Sequence, residues 1–184
     1  MIINDIFIFL ANGFEETEAI ATIDVLRRAK LEVTIVSVTG RLLVTGSHSI
    51  AIQADTLFEK TNFAYGTMLI LPGGMPGAKN LQSHKGLEEI LRIYARDKKY
   101  IAAICAAPKV LGHFDILNNR NATCYPGFEN ELIGATFLNL PVVQDGNIIT
   151  SKGPGFAIDF GLKIVAVLKG EEYAEKVAND MLVP

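Results

Sequence analysis

Apolar and polar positions divide this chain into short, continuous hydrophobic runs that alternate with longer segments of helical period. Ile6-Phe-Ile-Phe-Leu-Ala11 is apolar throughout, as expected of a strand buried on both faces of a sheet. Asn12-Gly13 breaks it. Ala19, Ile20, Ile23, Val25 and Leu26 then recur at helical spacing, with Glu15, Glu16 and Glu18 before them and Arg27, Arg28 and Lys30 at the end. That charge order complements a helix macrodipole. Glu32 to Val38 is a second strand, and the three segments together read as a βαβ unit, which makes the sheet parallel there. Leu42-Leu-Val44 and Ile50-Ala-Ile52 flank Thr45 to Ser49 and predict a β-hairpin within Gly40–Ala54. Asp55 to Phe63 reads as a short helix or irregular connection.

Thr67 to Leu71 is the next buried strand, ended by Pro72-Gly-Gly-Met-Pro-Gly77. Leu81, Leu87, Ile90, Leu91 and Tyr94 predict two short helices or one broken one. Tyr100 to Ile104 is a strand that stops at Cys105, and Ala106-Ala-Pro108 opens a further helix. Beyond it come a turn at 118–121, an extended segment at 122–126, and one or two helical turns over Phe128 to Leu132. Val142 to Thr150 is a hairpin with Asp145-Gly146 as its turn. Ser151-Lys-Gly-Pro-Gly155 enters a long apolar helix that stops at Gly170, and an amphipathic helix follows to Leu182. No repeat or low-complexity linker interrupts this order, so residues 1–184 read as a single domain. The alternation predicts an α/β fold, a three-layer α/β/α sandwich with a mostly parallel sheet and inserted β-hairpins.

Composition narrows the function classes. The 184 residues are 49% hydrophobic with a formal charge of −3, which suits a core-rich domain. No basic run exceeds a pair, so no strong nucleic-acid binding is expected. Two cysteines make no disulfide framework, and a reducing compartment is the default. Met1 to Asp5 lacks the basic start of a secretory signal, and the apolar run after it is too short for a signal core or membrane span. The expectation is a cytoplasmic protein with no membrane partner.

Three turns at the ends of parallel strands carry candidate chemistry: Gly13 to Glu18, Gly73-Gly74, and Cys105. Open α/β sheets bind ligands at these ends. A strand that turns sharply into a helix at one reactive side chain is a nucleophile elbow, where helix-start N–H groups and the helix dipole favour a thiolate. Free cysteine more often packs as a small hydrophobe. Likewise the three glutamates can serve as helix-start charges, with the alternative that one faces the end of the sheet. Gly73-Gly74 can form an N–H nest for an oxyanion or a plain tight turn. A thiol, a carboxyl and free N–H groups together are the parts of a nucleophilic site. Cys124 reads as a core or edge thiol. No CxxC or His-rich spacing exists, so no metal is expected, and the Gly-rich nucleotide motifs are absent.

The stretches Leu10-Ala-Asn-Gly-Phe-Glu-Glu-Thr-Glu-Ala19, Asp24-Val-Leu-Arg-Arg28, Leu71-Pro-Gly-Gly74, Ala102-Ala-Ile-Cys-Ala-Ala-Pro108 and Thr150-Ser-Lys-Gly-Pro-Gly155 resemble the ThiJ/PfpI superfamily, in its DJ-one/YajL-like branch. The resemblance spans essentially the whole chain and implies a flavodoxin-like, class I glutamine amidotransferase-like domain. It implies Cys105 as the reactive cysteine and Glu18 as the carboxyl that hydrogen-bonds it. Gly73, Gly74 and Ala106 become backbone donors, and Tyr125, Gly13 and Pro154 line the site. The implied activity is a cofactor-free, cysteine-dependent glyoxalase or deglycase acting on methylglyoxal, glyoxal or early glycation adducts. The alternative is a redox-sensing, stress-protective protein or chaperone that uses the same cysteine. A homodimer is also implied, through the Glu15–Lys30 helix and the Gly40–Ala54 hairpin. Three departures bear on this. Tyr125 stands where the human member has a histidine near the cysteine. His48 stands where that member has an arginine. Ala106 stands where the peptidase-like branch has a histidine, which argues against proteolysis.

Overall fold

The computed structural model describes residues 5–183, so the reading of Met1 to Asn4 lies outside the described residues. The chain begins β1 (Asp5–Leu10), α1 (Glu16–Arg28), β2 (Glu32–Ser37), followed by the hairpin β3 (Leu43–Thr45) and β4 (Ala51–Gln53). A two-residue strand β5 (Thr56–Leu57) and a 3-10 turn over Phe58–Lys60 occupy the stretch that reads as a short helix or irregular connection. Then come β6 (Met68–Leu71), α2 (Gly77–Gln82), α3 (Lys85–Arg96), β7 (Tyr100–Ile104) and α4 (Pro108–His113). The remainder is β8 (Asn121–Ala122), β9 (Thr136–Phe137), β10 (Val142–Asp145), β11 (Ile148–Ser151), α5 (Ala157–Lys169) and α6 (Glu171–Asp180).

Seven strands form the central sheet in the order β10-β11-β7-β6-β1-β2-β5. Every pairing is parallel except β10 with β11. The uniform apolar runs follow from this arrangement, because each central strand is covered on both faces. Along β1, Ile6, Ile8 and Leu10 join a core layer with α1, α5 and α6, while Phe7 and Phe9 join the opposite layer with α3 and α4. The result is the α/β/α sandwich that the alternation of segments predicts.

Small differences concern local turns. Asp145 pairs with Ile148, so the hairpin turn is Gly146-Asn147, one residue later than Asp145-Gly146. Gly146 has φ +58°, the left-handed geometry that such tight turns require. β8 and β9 form a separate parallel pair that two-residue runs do not announce.

The parallel strands end on one side of the sheet. The loops after β1, β6, β7 and β11 therefore share one rim, and they bring Glu18, Gly73, Cys105 and Gly153 together.

Candidate active site

Cys105 follows β7 directly and has φ +64°. For a side chain with a Cβ this left-handed conformation is strained, and it persists only where the surroundings hold it. They do so from both sides. The Cys105 N–H donates to the Ser151 carbonyl at 2.8 Å, and its own carbonyl accepts the Tyr125 N–H at 2.9 Å. The strand thus turns sharply, with Pro108 in the first turn of α4, as at a nucleophile elbow. The thiol is nearly buried, with 8% of the residue exposed.

The three glutamates at the start of α1 take three separate jobs. Glu15 caps the helix, its Oε2 accepting the Glu18 N–H at 2.7 Å. Glu16 turns toward the β3–β4 hairpin. Its Oε1 accepts the His48 N–H at 2.7 Å and the Ile50 N–H at 3.3 Å, and its Oε2 pairs with His48 Nδ1 at 2.8 Å. Burial opposes ionisation of Glu16, but these bonds outweigh it and hold the carboxyl at about 2. Glu18 is the one that faces the sheet end, and it is fully buried.

Glu18 Oε2 accepts the Gly73 N–H at 2.8 Å. Its Oε1 is buried without a hydrogen-bond partner among the described residues, and the Cys105 side chain is the neighbour that interacts with the carboxyl. Burial is the main reason its pKa rises to about 7; hydrogen bonds from Cys105 and Gly73 pull the other way. The carboxyl is therefore half-protonated near neutral pH, as proton shuttling requires.

Burial pushes the Cys105 thiol up, and the adjacent Glu18 charge adds to this; the N–H groups of Gly74 and Ala106 act in the opposite sense. Helix-start donors alone lead one to expect a depressed thiol pKa, and beside an ionised Glu18 the thiol does not have one. The reason is burial first, and then repulsion between two anions in one site. When Glu18 carries the proton, that repulsion is gone, and the two N–H donors act against the burial that remains. Thiol and carboxyl titrate as a pair.

The backbone donors divide. Gly74 and Ala106 direct N–H groups at the sulfur. The family resemblance groups Gly73 with them, but its N–H is engaged by Glu18, so it positions the carboxyl and is not a free oxyanion donor. Gly73 must lack a side chain, since a Cβ there would lie 2.6 Å from the Cys105 Cβ and 2.8 Å from Glu18 Oε2. Gly13 also departs from the expectation of lining the site. Its N–H donates to the Thr45 carbonyl, its carbonyl accepts the Gly77 N–H, and a Cβ would strike Pro76 at 2.5 Å. Gly13 therefore locks the β1–α1 turn against the loop after β6, behind Gly74.

Tyr125 lies against Cys105 through its N–H, and Tyr125 and Pro154 share a cavity. Pro126, Gly153 and Phe156 also line it, and its volume is about 320 Å³. A Cβ on Gly153 would lie 3.1 Å from Tyr125 Cδ2 and 4.0 Å from Cys105 Sγ, so Gly153, one of the cavity's lining residues, lies beside the sulfur. Gly153 lies at the site without being named from sequence, where the Gly-rich helix entry is the available signal. Cys124 is fully buried, and burial first, then Glu129 and Glu131, raise its thiol to about 11. The histidines lie elsewhere: His84 caps α3 through Nδ1, and His113 ends α4. The one His–carboxylate cluster with metal-ligand spacing among the described residues is Glu15, Glu16 and His48. No helix among the described residues is long and apolar enough to cross a membrane.

Comparison with known proteins agrees with this geometry. The DJ-1/PfpI family model matches residues 4–167. Protein DJ-1 homolog A of Arabidopsis thaliana is 38% identical over 181 residues, covering 97% of this chain. The chain spans only 46% of that relative's length. A deglycase of Pyrococcus abyssi is 30% identical over 166 residues, with 89% of this chain and 99% of the relative covered. Among solved structures, oxidized DJ-1 of Toxoplasma gondii superposes with a TM-score of 0.93 at 35% identity, covering 97% of both chains. With Cys105 on a strained elbow, a buried glutamate beside it and matches of this extent, the chain belongs to the DJ-1/PfpI family.

Proposed function

We propose that this chain is a cysteine-dependent enzyme acting on reactive carbonyl compounds, a glyoxalase or deglycase that converts α-oxoaldehydes to α-hydroxy acids. The observation that carries this reading is the pairing of the Cys105 thiol with a buried carboxyl whose pKa is about 7. The deglycase name of the Pyrococcus relative points the same way.

In this mechanism Glu18 accepts the thiol proton, and the sulfur attacks the aldehyde carbon to form a hemithioacetal. The N–H groups of Gly74 and Ala106 hold the developing oxyanion. Glu18 passes the thiol proton to the hemithioacetal oxygen, then removes the proton from the former aldehyde carbon and returns it to the neighbouring carbon as the hydroxyl proton shifts to the former keto oxygen, leaving a thioester of the α-hydroxy acid. Water cleaves the thioester and restores the thiol. The net change is RCOCHO + H2O → RCH(OH)COO⁻ + H⁺, so water is the only co-reactant. The test is incubation with methylglyoxal in the absence of glutathione, followed by NMR detection of lactate. Lactate from the wild type and none from Cys105→Ser or Glu18→Gln is the expected result. Full activity in Cys105→Ser would rule the mechanism out.

A second reading uses the same sulfur as an oxidation sensor. The Gly74 and Ala106 N–H groups that face the thiol suit the oxygens of a sulfinic acid, and Cys105 keeps some exposure where Cys124 has none. Mild peroxide should then add two oxygens to Cys105 before Cys124, read by peptide mass spectrometry. Homodimerisation is part of the proposal: Ile20 on α1 and Leu43 on β3 are exposed, as is Ile50 beside β4, whereas Ile23 and Leu26 belong to the chain's own core.

A further inference from the structure

Glu15 and Glu16, at the start of α1, are built alike. Each carboxyl commits one oxygen to the backbone and turns the other toward the His48 ring on the β3–β4 hairpin. Glu16 Oε1 accepts the His48 and Ile50 N–H groups, which leaves Oε2 facing His48 Nδ1 at 2.8 Å. Glu15 Oε2 accepts the Glu18 N–H, and its Oε1 takes no hydrogen bond among the described residues and lies 4.0 Å from the same Nδ1. The Ser47 hydroxyl stands beside them, 3.2 Å from Glu16 Oε2 and 3.1 Å from Nδ1. The hairpin closes over the group at Gly46, where a Cβ would strike the Glu16 carboxyl. The two glutamate side chains are only 12% and 5% exposed, yet no lysine or arginine pairs with either. Among the described residues His48 is their one basic partner, and its side chain is 68% exposed. Two nearly buried carboxyls are thus gathered around one accessible imidazole nitrogen.

We propose that Glu15, Glu16 and His48 bind a divalent transition-metal ion of the zinc class, which staples the β3–β4 hairpin to the start of α1. One ligand atom from each residue lies within 4.8 Å of the others. An imidazole nitrogen with two carboxylate oxygens suits Zn2+ or Co2+, whereas Mg2+ and Ca2+ take oxygen ligands. Metal–ligand bonds of ~2.1 Å set tetrahedral donor atoms about 3.4 Å apart, so the 2.8 Å separation must open and the 4.0 Å one close by about 0.6 Å each. A small turn of the exposed His48 ring does both. The ion takes the place of the proton between Nδ1 and Glu16 Oε2, and water or the Ser47 hydroxyl completes its shell. The backbone N–H groups on the far oxygens aim each carboxylate before the ion arrives, as outer-shell partners do at metal centres. No linear spacing announces the site, because His48 lies 32 residues from Glu16 and only the folding of the hairpin onto α1 joins them. The assignment is independent of the chemistry at Cys105.

Calorimetric titration with Zn2+ and visible absorption with Co2+ test it, on the untagged full chain and on Cys105→Ser. The second protein lacks the active-site thiol, and Cys124 is fully buried. Both proteins are expected to bind one ion per chain. The His48 ring resonances should shift or broaden, while those of His84 and His113 stay in place. His48→Ala and Glu15→Gln should each weaken binding at least tenfold. Zn2+ should also slow deuterium exchange of the hairpin amides at 47–50 at least tenfold. Absence of saturable binding up to millimolar metal would overturn the proposal. So would binding that survives both substitutions, which places the ion on scattered surface carboxylates, or binding lost in Cys105→Ser, which places it on the thiol. Thermal unfolding checks each variant, and His48→Phe, which keeps a ring without a donor nitrogen, replaces an alanine variant that has lost its fold.

Discussion

Glu18→Gln should stabilise the protein above neutral pH while abolishing turnover. The buried carboxyl has a pKa of about 7 in the fold against an ordinary value of 4.5. The sign follows from proton linkage. Below pH 4.5 the group is protonated in both states and contributes nothing. Between 4.5 and about 7 the unfolded chain releases the proton and the folded one keeps it, so stability falls as pH rises. Above about 7 the penalty is constant. A displacement of about 2.5 pH units, at ~1.4 kcal/mol each, puts it at about 3 kcal/mol. Glutamine is nearly isosteric, and its carbonyl can still accept the Gly73 N–H, so the charge is the main thing removed. For a domain of this size that corresponds to a Tm higher by roughly 5–10 °C at pH 8. Scanning calorimetry from pH 4 to 9 on both proteins is the assay. The difference should be near zero at pH 4 and grow through pH 7. A Gln variant less stable than wild type at pH 8, or a flat difference across the series, would refute the reasoning.

Other expectations follow from single contacts. Gly73→Ala should cut activity at least tenfold, read by the lactate assay, because its Cβ would push Cys105 and Glu18 apart. Gly161→Ala on α5 would set a methyl 2.9 Å from Val25 Cβ at the α1–α5 contact, and should lower stability by roughly 1–3 kcal/mol in urea unfolding. Glu16→Ala removes the acceptor for the His48 and Ile50 N–H groups, so those amides should exchange with deuterium at least tenfold faster.

The sheet was legible because both faces of its central strands are covered, and the uniform apolar runs of β1, β6 and β7 announce that directly. β7 begins and ends where its composition changes, at Tyr100 and Ile104. Two-residue strands such as β5 and β8 carry no period to detect, and only tertiary pairing defines them. At the site, the three loops could be placed at one sheet end by topology alone. Which glutamate enters could not, since Glu15, Glu16 and Glu18 are chemically alike and differ only in the direction each leaves the helix. The same holds for the glycines. Gly73 and Gly13 look like donors or site walls in sequence, but their positions are decided by what a Cβ would strike: the Cys105–Glu18 pair in one case, Pro76 in the other.

The raised thiol pKa and the reactivity assigned to Cys105 are compatible, because one proton serves two groups. Removing the first proton from the pair leaves a single charge, which can sit on Glu18 or, with the Gly74 and Ala106 N–H groups, on sulfur. Removing the second places two charges in a buried site, and burial together with Glu18 opposes it. Cys105 alkylation by iodoacetamide should therefore rise through one step near pH 7 and then stay level to about pH 10. A lone thiol would keep rising through its ordinary pKa of ~8.5. In Glu18→Gln the nearby proton acceptor is gone, so the step at pH 7 should vanish and the rise should move to the lone-thiol range or above. Intact-mass kinetics at fixed reagent concentration give both curves, with Cys124 as an internal reference whose thiol is held at about 11. A wild-type curve that climbs steadily through pH 9, or a Gln variant that keeps the step at pH 7, would show that Cys105 ionises without Glu18 and would remove the basis for a shared-proton mechanism.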